Sequence, residues 1–208
     1  MTMHKTLFDY AQTLHKALSH VDENIIELIL KAILDTVNTG SNVYIVGNGG
    51  SLANASHIAG DYQKTFSILK IPPRIFSIGD NSCYITATSN DLDFSESFSL
   101  FLKQVLISND TVIYLSGSGN SLNLVKAASI IAQQADIIQI SVTAFTGGRL
   151  ATLTNISLNI NVSDMEVAED VQLAIFHYIK QRICALYHKD YSLQQTKYLR
   201  RVSEDLIA

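Results

Sequence analysis

Two short stretches of this chain combine glycine with serine and asparagine in a way that suits the binding of an anion. They are Gly47-Asn48-Gly49-Gly50-Ser51 and Ser116-Gly117-Ser118-Gly119-Asn120-Ser121. Glycines have no Cβ, so backbone N–H groups can approach a ligand, and a helix that follows such a turn adds partial positive charge at its N-terminus. A phosphate group or a sugar oxygen would fit this chemistry.

Neither stretch has the spacing of a nucleotide-binding motif. The first lacks the third glycine of the dinucleotide fingerprint, and no Gly-Lys-Ser/Thr follows it as in a P-loop. We therefore expect no nucleotide cofactor. Each turn alone could be purely structural, a tight βα turn or a serine-rich helix cap. Their repetition in one chain is more informative than either copy.

Two further groups of side chains could act as acids, bases or metal ligands. His57 and Asp61 are four residues apart and share one helical face, although such pairs are also common on exposed surfaces. Gln172 and Lys180 are separated by about 12 Å of helix rise, so both could reach one ligand. His177 lies about 140° around the helix from Gln172 and is the weaker choice. Lys180 could equally be a solvated lysine.

Strands and helices alternate along the chain, which indicates a parallel sheet covered on both faces. Right-handed crossovers would place both glycine turns at the carboxyl ends of strands, where open α/β sheets bind ligands. Whether 188–208 is a helix or a partly ordered tail stays open. The hydrophobic pattern predicts helices at 4–20, 23–37 with Asp22 as N-cap, 52–65 with Ser51 as N-cap, 80–89, 94–107, 121–134, 148–153 and 165–187, and strands at 42–46, 74–78, 111–115, 136–141 and 156–160.

The chain of 208 residues and 22.9 kDa is most simply a single domain. We divide it into an N-terminal helical segment (1–39), a core (40–187) and a C-terminal extension (188–208). The two opening helices carry an unusually wide apolar face, which favours a subunit interface, with ordinary packing inside the monomer as the alternative.

Composition excludes several classes of function. A net charge of -4 gives no electrostatic reason to bind nucleic acid. Cys83 and Cys184 show no Cys-x-x-Cys pattern, so we expect two buried thiols in a reducing compartment. The first twenty residues lack the pattern of a signal peptide, and no apolar run approaches the roughly 20 residues that cross a bilayer. The expected location is the cytoplasm, without membrane association.

Four motifs in order resemble the sugar isomerase (SIS) domain family, and within it the phosphoheptose isomerase group. The resemblance covers about residues 40–187. It implies a three-layer, doubly wound α/β sandwich with a five-stranded parallel sheet, flavodoxin-like and preceded by two helices. It also implies an aldose–ketose isomerase that makes D-glycero-D-manno-heptose 7-phosphate for lipopolysaccharide or capsule precursors, as a homotetramer with sites between subunits. The motifs are the two glycine stretches, Ser89-Asn90-Asp91 and Thr146-Gly147-Gly148.

The same resemblance assigns roles to individual residues. Isomerisation requires removal of a proton next to a carbonyl and stabilisation of the resulting enediolate, so we expect Asp61 to be the catalytic base and Lys180 or His177 to protonate or support a substrate oxygen. Asp61 stands where the family commonly has glutamate, and Lys180 where it has a histidine that binds zinc. An ammonium group cannot ligate zinc unless it loses its proton. The resemblance implies sugar contacts for Asn48, Gly49, Gly50 and Ser51, and phosphate contacts for Ser116, Gly117, Ser118 and Ser121, where Gly117 replaces a hydroxyl residue and costs one donor. It implies that Asn90 and Asp91 order the pocket and that Gln172 contacts the substrate. It implies zinc ligation by His57, Asp61 and Gln172.

Two other functions remain open at this level. Some members of the fold are scaffolds that bind a protein partner such as the replication initiator, and Lys180 is compatible with that class. A phosphosugar sensor without turnover is the third hypothesis. Gln172 and the carboxylate of Asp61 favour catalysis, so the isomerase is the preferred interpretation.

Overall fold

The computed structural model describes residues 4–134 and 136–187, which form a parallel sheet with helices on both faces. The C-terminal extension at 188–208, for which helix or tail was left open, lies outside the described residues. In chain order the elements are α1 (Leu7–Ser19), α2 (Glu23–Asn38), β1 (Val43–Gly47), α3 (Gly49–Leu69), β2 (Ile75–Ser77), α4 (Ser82–Asp91), α5 (Ser99–Val105), β3 (Thr111–Ser116), α6 (Leu122–Ile131), β4 (Ile138–Thr143), α7 (Leu150–Leu153), β5 (Ile156–Asn159) and α8 (Met165–Leu186), with 3₁₀ turns at Ile78–Asp80 and Phe94–Glu96.

The sheet formed by these residues has five parallel strands in the order β2-β1-β3-β4-β5. Strand β1 is therefore the hydrogen-bonded neighbour of β3, with Gly47 opposite Leu115. The order reverses between these two strands, which is the switch point where doubly wound sheets bind ligands. The predicted fold class is confirmed.

Alternate strand residues enter two separate cores. Ile45 and Ile113 pack with α2, α3 and α8 on one face. Val46 and Val112 pack with α5, α6 and α7 on the other. Because both faces of the sheet are buried, the central strands are continuous apolar runs rather than alternating ones.

The two opening helices differ in how far their apolar residues are buried. Helix α2 buries Ile29 and Ile33 completely, so ordinary packing within the monomer accounts for most of its apolar face. Helix α1 lies against α8, and the Tyr10 hydroxyl donates to Asp170 at 2.6 Å. At its start, Leu7 and Phe8 are 83% and 69% exposed. Leu18 of α1 and Leu28 of α2 are exposed as well. The subunit interface stays a prediction.

The single helix predicted at 94–107 is wrong. The segment forms a 3₁₀ turn, Phe94–Glu96, and then the shorter helix α5. Ser97 is fully buried and accepts a hydrogen bond from the Asn123 side chain at 3.0 Å, while Lys126 donates to Glu96 at 2.6 Å. These contacts with α6 hold polar residues inward, where a continuous helix would place a single apolar stripe.

The prediction of two buried thiols holds only for Cys184. Cys83 is exposed on α4. Of the residues in α4 only Thr88 is buried, so most of its side chains, that of Cys83 included, face away from the core. Within the described ranges, no helix is both long enough and apolar enough to cross a membrane.

Candidate functional site

The first glycine stretch lies between β1 and α3. Helix α3 begins at Gly49, three residues before the predicted start at residue 52, and the N-cap is Asn48, in an extended conformation, rather than Ser51. Gly49 has a positive φ of 55°, a conformation that favours glycine. Ser51 is therefore inside the first turn, where it is buried. Its hydroxyl donates to the Gln172 side-chain oxygen at 3.2 Å instead of capping the helix.

The second glycine stretch lies between β3 and α6 and is shaped by its own serines. The Gly119 N–H donates to the Ser116 hydroxyl at 3.1 Å, and the Asn120 N–H donates to the Ser118 hydroxyl at 3.2 Å. Ser121 is the N-cap of α6, but its hydroxyl does not cap the helix. Hydroxyl groups and a helix N-terminus thus meet within six residues.

The two stretches face each other across one cavity of about 230 Å³. This follows from the pairing of β1 with β3, because the turns leave neighbouring strands at the same edge of the sheet. We call the two walls the first cradle (47–51) and the second cradle (116–121). The lining residues are Asn48, Gly49, Gly50, Ser51, Leu115, Ser116, Gly117, Ser118, Ser121, Met165 and Glu169.

The first turns of α8 cover both cradles. A Cβ added at Gly50 would lie 2.1 Å from a Glu169 carboxylate oxygen, and one added at Gly117 would lie 2.2 Å from the Met165 sulfur. The glycines therefore leave room for the side-chain ends of Glu169 and Met165. The Ser51 backbone N–H donates to the Glu169 carboxylate, while burial raises the pKa of this carboxyl group. Sequence reasoning missed Glu169, although its position three residues before Gln172 on the same helical face was a usable signal.

Gln172 connects α8 with the first cradle and the sheet. Its side chain is fully buried; the oxygen accepts from Ser51, and the nitrogen donates to the Val142 carbonyl at 3.1 Å. The amide is thus engaged by the protein itself. Its assigned roles in substrate and metal binding stay predictions.

Asn48 is held by a partner that the sequence did not reveal. Its side-chain amide exchanges two hydrogen bonds of 2.9 Å with Asn123 on α6. Asn123 is buried and also bonds Ser97. By contrast, Asn90 and Asp91 lie in the last turn of α4, are exposed, bond each other at 2.8 Å and do not line the cavity. Their ordering role stays a prediction.

A cluster of titratable side chains lies between α3 and α8. His57 and His177 approach with 3.0 Å between their Nε2 atoms. Asp61 forms ion pairs with Lys180 and, at 3.0 Å, with Lys64. His177, the weaker choice from helical geometry, thus joins this cluster, while Gln172 points to the cradle.

Electrostatics keep the acid–base groups of this cluster in useful protonation states. Burial disfavours the charged form of Asp61, but hydrogen bonds from Lys180 and Lys64 outweigh it and lower its pKa. Burial, followed by the charges of Lys180 and His57, lowers the pKa of His177. At neutral pH the cluster therefore offers a carboxylate and a neutral imidazole beside an ammonium group.

The cluster also contains a set of donors that fits a divalent metal ion. Ligand atoms of His57, Asp61 and His177 all lie within 4.8 Å of one another. Two imidazoles and a carboxylate are a common protein ligand set of catalytic zinc. The fit uses His177 rather than residue 180, and Asp61 would have to release Lys180 or Lys64 from one carboxylate oxygen to ligate the ion.

The cluster and the cavity are separate within one copy of the chain. None of His57, Asp61, His177 and Lys180 lines the cavity. Ser51 and Asp61 are ten residues apart on α3, which corresponds to about 15 Å of helix. The cavity can bind an anionic sugar, and the cluster can move protons.

Comparison with known proteins shows the family of this chain. The family model described as SIS domain matches residues 7–147. The chain belongs to the SIS domain family. Among SIS relatives, phosphoheptose isomerase of Trichlorobacter lovleyi is 30% identical over 173 residues, covering 83% of this chain and 87% of the relative. A probable phosphoheptose isomerase of Thermoplasma volcanium is 29% identical over 181 residues, covering 87% and 92%.

Solved structures with the SIS fold are also similar. A phosphoheptose isomerase from Francisella tularensis superposes with a TM-score of 0.78 at 22% identity, covering 87% of this chain and 97% of that one. Phosphoheptose isomerase from Neisseria gonorrhoeae gives a TM-score of 0.74 at 22% identity, with 84% and 94% covered. These superpositions show the shared fold.

Proposed function

We propose that this chain is an aldose–ketose isomerase that converts sedoheptulose 7-phosphate into D-glycero-D-manno-heptose 7-phosphate. The observation that carries the proposal is the single cavity lined by both cradles. The names of the relatives support the substrate class. The product would serve lipopolysaccharide or capsule precursor synthesis in the cytoplasm, as the resemblance implies.

The phosphate group binds in the second cradle. Ser116, Ser118 and Ser121 provide hydroxyl groups there, and α6 directs its N-terminus at the cavity. Backbone amides and hydroxyls bind a phosphate without requiring a cation. The first cradle then contacts the sugar.

The cluster performs the proton transfers. Asp61 removes a proton from C1 of the ketose, the C2 oxygen gains negative charge, and Lys180 or His177 stabilises or protonates it. Asp61 then returns the proton to C2. The C1 hydroxyl becomes the aldehyde as its proton passes to the Lys180 or His177 group that protonated the C2 oxygen, or to that oxygen itself where it was only stabilised. Zinc held by His57, Asp61 and His177 would polarise the substrate carbonyl.

A complete site needs two copies of the chain. The roughly 15 Å of α3 between Ser51 and Asp61 supports a site in which one copy supplies the cradles and a neighbour supplies the cluster. Exposed Leu7 and Phe8 support an interface through segment 1–39. We place these sites in a homotetramer.

A coupled assay with sedoheptulose 7-phosphate, with added zinc and after chelation, tests the proposal. Turnover is expected for the purified full chain. Saturable binding without turnover would instead indicate a sensor. Neither binding nor turnover would indicate a scaffold for a protein partner, and would contradict the proposal.

A further inference from the structure

The two ends of the cavity have a similar backbone arrangement but differ in charge. Both cradles present the N-terminus of a helix, and each alone suits an anion. Among the residues that line the cavity, Glu169 carries the only formal charge, and no lysine, arginine or histidine balances it. One carboxylate therefore determines where a phosphate group is tolerated.

Glu169 lies at the first cradle. Its carboxylate packs directly against Gly50 and accepts the Ser51 N–H, so it occupies the N-terminus of α3 in the way an acidic residue of the first turn would. Helix α3 has no acidic residue of its own there. The Glu169 side chain is half-exposed and lines the cavity, so its charge is available to a ligand.

Met165 covers the second cradle from the same helix. Its thioether lies against Gly117, four residues before Glu169, and brings no charge. One face of α8 thus makes the first cradle negative and leaves the second neutral. A phosphate group at the first cradle would meet a like charge, which costs binding free energy, whereas at the second it would meet amides and hydroxyls.

We propose that Glu169 sets the direction in which a sugar phosphate binds and excludes a second phosphate group from the first cradle. The identity of the sugar rests on the proposed function. Glu169 accepts hydrogen bonds from sugar hydroxyls, so the chain selects sugar monophosphates over the corresponding bisphosphates.

Calorimetric binding of sedoheptulose 7-phosphate and sedoheptulose 1,7-bisphosphate tests this selection. The measurement uses the full chain at about pH 8, where a carboxyl group is ionised. Glu169→Gln removes the charge, Glu169→Asp keeps it, and Glu166→Gln removes an exposed acidic charge from the same helix that does not line the cavity. Thermal melting checks that each variant is folded.

The wild-type protein should bind the monophosphate at least about 10-fold more tightly than the bisphosphate. In Glu169→Gln this preference should fall about 10-fold, through tighter binding of the bisphosphate, while Glu169→Asp and Glu166→Gln keep it. An unchanged preference in Glu169→Gln, or an equal loss for both ligands, would overturn the inference. Monophosphate binding without turnover would contradict only the proposed isomerase, and no binding of either ligand would overturn both.

Discussion

Lys180 is the residue at which this chain departs most clearly from the zinc site implied by its resemblance. It donates to Asp61, and Lys64 holds the other carboxylate oxygen. Two cations on one carboxylate lower its pKa despite partial burial. The residue therefore supplies a fixed positive charge where the family places a metal ligand.

Replacing Lys180 with glutamine should raise the pKa of Asp61. The acid limb of the pH–rate profile should then move to higher pH, because the base must be ionised to act. Lys31→Gln removes a lysine that pairs with Asp35 on the exposed face of α2 and is the matched control. If the acid limb lies at the same pH in both variants, Lys180 does not lower the pKa of the catalytic base.

The same groups determine how stability depends on pH. The folded pKa of Asp61 is lowered, so its contribution is present above the unfolded value of about 3.9 and is lost as pH falls through the folded value. His177 also has a lowered pKa, and its contribution is lost as pH falls below about 6.5. Denaturant unfolding should show both losses in the wild-type protein. In Lys180→Gln the acidic loss should shrink, and an equally steep loss would contradict the assignment.

Residue types could be predicted here, but not their pairing. The sequence identified His57, Asp61 and Lys180, yet it ranked His177 below the others from helical angle alone. The contact between His57 and His177 depends on how α3 crosses α8, which a single-helix argument does not contain.

At the scale of elements, α8 organises the site. Its hydrophobic pattern predicted a helix at 165–187, and the observed helix is Met165–Leu186. A long segment with regular hydrophobic periodicity is enough to predict such a helix. The break at 94–107 could not be predicted, because it depends on hydrogen bonds from Asn123 and Lys126 of α6, elsewhere in the chain.

The close approach of α8 to the first cradle predicts different effects for two glycines of α3. Gly60→Ala adds a Cβ with nothing within 4 Å, so it should stabilise the helix by about 0.5–1 kcal/mol. Gly50→Ala should gain less stability, because its Cβ displaces the Glu169 carboxylate from the Ser51 N–H, and it should change the binding of sugar phosphate. Urea unfolding and calorimetry measure both effects. Equal stabilisation by the two substitutions, with unchanged binding, would show that Glu169 does not pack against Gly50 as described.

At the scale of the whole molecule, the order of the strands brings the cradles together. The alternation of strands and helices predicted a parallel sheet, and the glycine turns predicted its binding edge. The sequence could not show that the proton-transfer cluster lies outside the cavity, because the lining depends on how α8 packs over the cradles. This separation makes assembly part of the proposed mechanism.

A site shared between copies predicts complementation. Ser118→Ala with Ser121→Ala disables the second cradle, and Asp61→Asn disables the cluster. Co-expression of the two inactive chains with different tags should restore part of the activity in the mixed oligomer. A mixed oligomer as inactive as either variant would indicate that each copy uses its own cradles and cluster.

The most direct test of the account follows sedoheptulose 7-phosphate by NMR in the presence of the wild-type chain and of Asp61→Asn. Asp35→Asn, which removes an exposed carboxylate, is the control. The account predicts that aldose signals appear with the wild-type and control chains, that their rate falls by about 10²–10⁴-fold with Asp61→Asn, and that this variant still binds the sugar phosphate. An unchanged ketose spectrum with the wild-type chain, or wild-type turnover by Asp61→Asn, would contradict it.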